Sequence, residues 1–566
     1  MSFIDWIILG ITLLSIISYG IWKSRGTKNI EGYLLADRQL PWYHVGLSVM
    51  ATQASAITFL SAPGQGYGDG LRFVQFYFGL PLAMVVLCIT FIPIFHKLNV
   101  FTAYEFLEKR FDNKTRTLTA FLFLLQRGLS TGITIYAPAI ILSTILNIDV
   151  NYTIVLNGAL VIAYTVYGGA KAVSYTQLFQ MSVIFAGLFL AAYMVVHLLP
   201  DNVSFSDALH IAGKMDKLNA IDTKFDVNNK YNIWSGIIGG FFLQLSYFGT
   251  DQSQVGRYLT GKSIAQSRLG LIMNGLIKIP MQFFILLIGV MVFTFYQFHP
   301  TPIFFNKVEV SRLENSAYKN DFKNLQQSYV IAHTEKQTEV NKLVEAIHGE
   351  NENSINLART KVQQADKKAN AIKKDVTVLM QKNNPKADIN DTNYIFLTFI
   401  TQQLPVGVIG LLFAIIFLAS MGSMASGLNS LASTTIVDFY KRLFKTEESD
   451  TNYLSASRWT TVIWGIFCIM VAFYASRVGN LIEAVNILGS LFYGTILGIF
   501  LVAFYMKNIT GTAVFYAALF AEGFIVYAWI TDLTAFLWLN VIGCLLVMCF
   551  AFFIQLFLNK NLKVIK

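Results

Sequence analysis

The feature that most limits this chain is the recurrence of apolar runs about twenty residues long, the length a helix needs to cross a ~30 Å hydrocarbon core. They lie near residues 3–22, 44–66, 73–96, 118–146, 152–169, 175–199, 234–256, 269–297, 393–438, 457–476, 480–506, 511–530 and 534–557, about thirteen crossings by hydropathy. Lipid offers the backbone no hydrogen bonds, and runs of this length satisfy it as helices. An all-α polytopic membrane protein is expected. Composition agrees: 54% of the 566 residues are hydrophobic and only 13% are charged, against roughly a quarter charged in soluble domains. With the N-terminus outside, the basic clusters Lys23, Arg25, Lys28 and Arg38, then Lys97, Lys109, Arg110, Lys114 and Arg116, fall on one face. Lys171, Arg257, Lys262, Arg268, Lys441, Arg442, Lys445, Lys507, Lys560, Lys563 and Lys566 join them. The positive-inside rule makes that face, and the C-terminus, cytoplasmic. The opposite short loops carry little more than Arg72 and Arg477. The net charge of +10 therefore reports topology and not a nucleic-acid partner. The first run lacks a basic leader and a cleavage site, so it reads as a retained span in the plasma or inner membrane. Cys88, Cys468, Cys544 and Cys549 lie inside apolar runs and are expected to be buried, small side chains with no metal or disulfide role.

One span is a poor helix. Ser48–Gly70 opens with Ala51, Thr52, Ala54, Ser55, Ala56 and Thr58, then meets Pro63, Gly64, Gly66, Gly68 and Gly70. The helix is expected to fail in that second half. An interrupted helix survives in lipid only when neighbours bury it or it lines a cavity, so the stretch reads as a binding-site wall.

Two outer segments are not membrane. Asp201–Asn232 is polar without a strong period and reads as a loop. Residues 299–391 turn to Lys, Glu, Gln, Asn and Ala, with Ala358, Val362, Ala365, Ala369, Ile372, Val376 and Leu379 at heptad spacing. A weaker seam (Phe322, Leu325, Tyr329, Ala332, Val340, Leu343, Ile347) precedes the polar tip His348–Asn353. An antiparallel helical hairpin standing on the outer face is expected, either a solvated insertion or an element for partner docking or self-association. The chain thus divides into a first transmembrane region (residues 1–298), the insertion (residues 299–391) and a second transmembrane region (residues 392–566).

No G-x-x-x-x-G-K-[ST] loop and no large cytoplasmic segment is present to use nucleotide energy. Transport would draw on an ion gradient. Sodium is a hard cation that takes oxygens, and a broken helix frees carbonyls. The hydroxyl-rich complement is Ala419–Ser430, where Ser420, Ser423 and Ser426 recur at spacing three. Close helix packing alone is the alternative use for such small residues.

Ala51–Gly66, Thr102–Phe111 (TAYEFLEKRF), Tyr167-Gly168-Gly169, Gly249–Leu259 (GTDQSQVGRYL) and Gly422–Ser430 (GSMASGLNS) occur in an order that resembles the sodium/solute symporter family. That family includes carriers of sugars, sialate, proline, pantothenate, monocarboxylates and iodide. The resemblance implies a LeuT-type core of five plus five inverted-repeat helices, with one helix before and two after. It implies no enzymatic activity and no catalytic residue, but sodium-coupled symport of a small polar solute by alternating access. Carried over, the sodium ligands are Ala51, Ala54 and Ala419 through main-chain oxygen and Ser423 through its hydroxyl, with Ser420 or Ser426 in reserve. Gly422 departs from the pattern, since a second hydroxyl commonly stands there. Gln177 replaces an aspartate used by members that bind an additional sodium, which points to one sodium per cycle. Solute positions map onto Gln53, Thr58, Tyr77, Gln244, Tyr247, Lys278 and Asn486. Where sugar carriers have a glutamate this chain has Tyr77, and with Lys278 retained a small anion such as a carboxylate fits better than a hexose. A sodium-coupled sugar carrier is the alternative. A passive channel or a transporter-like sensor explains less: neither needs paired interrupted helices, and no signalling segment follows the last span.

Overall fold

The computed structural model describes residues 1–24, 30–146, 148–385, 387–444, 449–475 and 479–564. Arg25, Lys28, Lys445, Arg477 and Lys566 lie outside them, as do the side chains of Lys23, Tyr167-Gly168-Gly169, Lys171, Lys560 and Lys563. Among the described residues there is no β-strand. Helices α1 (Phe3–Ser24) and α2 (Ile30–Leu35) precede a first half made of α3 (Trp42–Gln53), α4 (Ala56–Asp69), α5 (Leu80–Val86), α6 (Ile92–Leu98), α7 (Glu105–Arg110), α8 (Asn113–Leu146) and α9 (Val150–His197). A surface helix, α10 (Phe205–Lys214), leads to α11 (Gly240–Thr250), α12 (Gln252–Tyr258) and α13 (Ile264–Phe298). Then come α14 (Lys307–Glu314), α15 (Lys319–His348), α16 (Glu352–Asn383), α17 (Thr392–Gln403), α18 (Val408–Thr434), α19 (Asp450–Ala472), α20 (Leu481–Tyr505), α21 (Gly511–Ile530) and α22 (Phe536–Val564).

Ten helical stretches among the described residues are long and apolar enough to cross a membrane, and Val150–Val166 is a shorter apolar one. The segment 44–66 is a broken helix, as expected, and 234–256 is broken as well. The most interior element is α18, buried along nearly its whole length and packed against α9, α1 and α8. A helix apolar all round belongs in a core, and its small residues let neighbours approach closely.

Several boundaries differ from the sequence reading. The interruption of Ser48–Gly70 falls at Ala54–Ser55, between α3 and α4, and Pro63, Gly64 and Gly66 sit inside continuous α4. These glycines serve packing: a Cβ on Gly64 would strike the carbonyl of Thr392, one on Gly66 that of Leu286, and one on Gly289 that of Pro63. Only Gly70, at φ +72°, ends the helix by its backbone conformation. The run 393–438 is two helices, α17 and α18, parted near Gly407, which has φ +92°. The runs 152–169 and 175–199 belong to one helix, α9, of 48 residues. The stretch Asp201–Asn232 contains α10, started by a capping box in which Ser204 accepts from the Asp207 amide and Asp207 accepts from the Ser204 amide. Cys549 is exposed, unlike the other three cysteines.

Helices α15 and α16 pair through Tyr329, Ala332, Val340 and Leu343 against Val362, Ala369, Val376 and Leu379, all buried. The pair does not stand free. Met215 and Phe298 pack beside Val340 and Val362, and the tip is fastened to the α10 region. His348 Nε2 lies 3.2 Å from Asp207, and Arg359 donates to Lys214 O at 2.8 Å and to Asp216 at 3.1 Å. Apolar and polar contacts in its tip half lay the hairpin along the protein surface.

Candidate ion and solute site

Two helices of the core break, and they break differently. In a continuous helix the carbonyls of Ala51 and Ala54 would accept the amides of Ser55 and Thr58. Here the Ser55 amide donates to Gln53 O at 3.2 Å and the Thr58 amide to Ser55 O at 2.9 Å. The helical claim on both carbonyls is lifted, and no side chain caps either end at the break. Ala51 and Ala54 are both buried.

Opposite this break runs α18. Ser423 donates its hydroxyl proton to Ser420 O at 3.0 Å, which leaves its oxygen lone pairs as acceptors. Ala419 lies one turn before it. Ser426 is committed elsewhere: it donates to Gly422 O at 2.9 Å, sits 3.1 Å from the Thr52 hydroxyl, and accepts from Gln177 Nε2 at 3.1 Å. The same Gln177 nitrogen reaches the Thr52 hydroxyl at 3.2 Å and Gly422 O at 3.4 Å, while Gln177 Oε1 accepts from Ser48 at 2.6 Å. A neutral amide thus ties α3, α9 and α18 together inside a set of oxygens. Sequence reasoning singled out Gln177 by analogy only, without this network.

The second break lies at Asp251, between α11 and α12, and is closed by its own side chain. Asp251 accepts from the Ser253 amide at 2.8 Å, from the Ser253 hydroxyl at 2.6 Å and from the Tyr493 hydroxyl at 2.8 Å. Arg127 of α8 faces it at 3.7 Å and also donates to Ser253.

Between the breaks is a cavity of about 90 Å³, space for about three waters at liquid density or one compact solute. Six of the seven sequence-named solute positions face or flank it: Gln53, Thr58, Tyr77, Gln244, Tyr247 and Asn486 line it. Lys278 does not. It is fully buried behind the wall, its ammonium 5.8 Å from the Tyr77 ring and without a hydrogen-bond partner among the described residues. Gln53 Oε1 and both amide atoms of Gln244 are also buried and unpartnered, so the cavity presents unspent hydrogen-bonding capacity. The cation that does line the cavity is Arg127, which sequence reasoning missed, together with Ser55, Ser130, Phe76 and Tyr493. The signal was available, because an arginine in the middle of the apolar run 118–146 marks a functional site by default.

Motif residues hold the opposite end. Thr102 donates to Asp438 at 2.9 Å, Tyr104 to Thr250 O at 2.8 Å, and the Ala103 amide to Gln252 at 3.1 Å. Arg116 bridges Glu108 at 2.5 Å and Asp438 at 2.7 Å. Residues 102–116 are thereby bound to α12 and its preceding turn and to Asp438, just past the end of α18.

Two broken helices flanking one polar cavity, in halves that each open on such a helix, define a secondary transporter. Residues 33–317 and 378–521 match the sodium:solute symporter family. The chain belongs to that family. The unmatched stretch 318–377 is nearly all of α15 and α16. The chain is 26% identical to a sodium/glucose cotransporter of Vibrio parahaemolyticus over 90% of its length and 82% of that protein. It is 31% identical to the human sodium/iodide cotransporter over 48% of its length and 42% of that protein. A solved Na⁺-coupled sialic acid symporter, in a substrate-bound outward-open state, superposes with a TM-score of 0.74 at 23% identity, covering 98% of both chains. The fold is the LeuT type. The protein is an integral membrane transporter, not an enzyme, and couples sodium to solute movement by alternating access.

Proposed function

We propose that the solute is a compact anion, with a carboxylate as the fitting chemistry, and that one sodium accompanies it per cycle. The observation that carries this is Arg127, a cation among the cavity-lining residues; its counter-charge Asp251, 3.7 Å away, is shared with Ser253 and Tyr493, and no Asp or Glu is among the lining residues. Lys278 is not among the lining residues and has no part in this recognition. Gln53, Thr58, Gln244 and Asn486 would fix the anion's remaining polar atoms, and Tyr77 and Tyr247 its apolar faces. Sodium would sit among Ala51 O, Ala54 O, Ala419 O and Ser423 Oγ, with Ser426 and Gln177 bound to one another beside it. The orientation with basic loops inside, the span count of about thirteen, and the division at 299 and 391 belong to the same reading.

The test is thermal unfolding of the purified protein in detergent with small carboxylates, sugars or iodide, in sodium chloride and in choline chloride. Carboxylates are expected to raise the unfolding temperature only with sodium, and Arg127→Gln to remove that rise. Stabilisation by hexoses with carboxylates inert would replace this solute class by the sugar alternative. A protein partner or self-association through the hairpin is a separate reading. It fails if removal of residues 301–390 leaves sodium-driven uptake unchanged.

A further inference from the structure

Gly422 stands beside the proposed ligand Ser423 and brings no side chain of its own. The space next to it is taken. A Cβ at this position would lie 2.6 Å from Gln180 Oε1, closer than real Cβ contacts come. Gln180 is 2% exposed, and its Oε1 is buried without a hydrogen-bond partner among the described residues. It lies three residues after Gln177 in α9, so both amides face α18 from one side of the same helix. The two amides behave differently: Gln177 Nε2 reaches Thr52, Ser426 and Gly422 O, whereas Gln180 brings an oxygen to which nothing donates. A buried acceptor with no donor suits a hard cation, which takes neutral oxygens readily.

We infer that Gln180 Oε1 supplies, from α9, the sodium ligand that α18 lacks at Gly422. This rests on the assignment of Ala51, Ala54, Ala419 and Ser423 to sodium. The glycine and the glutamine are then one device: the absent side chain makes room for the amide oxygen, and the amide oxygen replaces the absent hydroxyl. The ion would join three helices, with Gln180 adding α9 to the broken helix and α18.

The experiment is a sodium titration of thermal unfolding on the purified full-length protein, with choline chloride holding ionic strength constant and no solute added. Gln180→Ala is expected to raise the half-maximal sodium concentration at least tenfold, and Gly422→Ser in the same chain to bring it back within about threefold of the starting protein. Gly422→Ser alone should weaken the response, because the new side chain meets Gln180. Should Gln180→Ala fold poorly, Gln180→Glu keeps the oxygen and is expected to tighten sodium and make its binding pH-dependent, which a purely packing role would not do. If Gln180→Ala leaves the titration unmoved while Ser423→Ala shifts it, the inference is overturned and the sodium site stands. If neither shifts it, both the inference and the underlying assignment fall. A loss in Gln180→Ala that Gly422→Ser does not repair also overturns the exchange.

Discussion

The two interruptions of the core differ in who satisfies the backbone. At Asp251 the protein does so itself: a carboxylate caps the following turn and takes the Tyr493 hydroxyl, with Arg127 opposite. At Ala54–Ser55 no side chain caps either end, and two carbonyls lose the amides a helix would give them. The same device in the two repeats is closed in one and left open in the other. An open break in an apolar surrounding is where an outside partner gains most, because leaving polar groups unmatched there is costly.

Removing the closure should have the largest effect. Asp251→Ala leaves the Arg127 guanidinium buried beside no carboxylate, and breaking a buried pair from one side costs roughly 3–5 kcal/mol. A large fall in unfolding temperature and loss of uptake are expected, with the double variant Asp251→Ala/Arg127→Ala regaining stability but not uptake. Equal stability of Asp251→Ala and the parent would show that the second break does not depend on its own side chain. The open break should respond to ions instead. Ser423→Ala is expected to raise the sodium needed for half-maximal uptake about tenfold, equivalent to ~1.4 kcal/mol, with no change in unfolding temperature without sodium. A matching loss in choline would make Ser423 a packing residue. Smallest of all is Ser55→Ala. An N-cap serine is usually worth ~1 kcal/mol, but Ser55 makes no cap bond, so stability should change by less than ~0.5 kcal/mol.

The difference between the breaks also explains what could be read from sequence. The two oxygen-rich stretches were legible because hydroxyl and small residues stand out in apolar runs, and α3 and α18, which carry Ala51 and Ser423, pack against each other. The exact break was not. Pro63, Gly64 and Gly66 look like helix breakers, yet they sit in α4 where its backbone touches α13 and α17, and periodicity carries no trace of that contact. Hairpin pairing was legible from the heptad seam, whereas its fastening to α10 depends on Arg359 and His348, single polar residues on the outer surface. Six cavity residues followed from the family resemblance, although only Gln53 and Thr58 lie inside its quoted motifs. Arg127 escaped because its run was read only as a span, and Gln180 because its proposed role depends on a glycine more than two hundred residues away.

The crowded backbone contacts of α4 have a mechanical consequence. With the carbonyls of Thr392 and Leu286 against Gly64 and Gly66, and that of Pro63 against Gly289, the outer half of the broken helix is keyed to α13 and α17 and cannot readily slide along them. Bending between α3 and α4 is therefore concentrated at Ala54 and Ser55, the residues beside the released carbonyls. An ion held there, as proposed, would act as a splint across the break, so that filling the site would stiffen this joint.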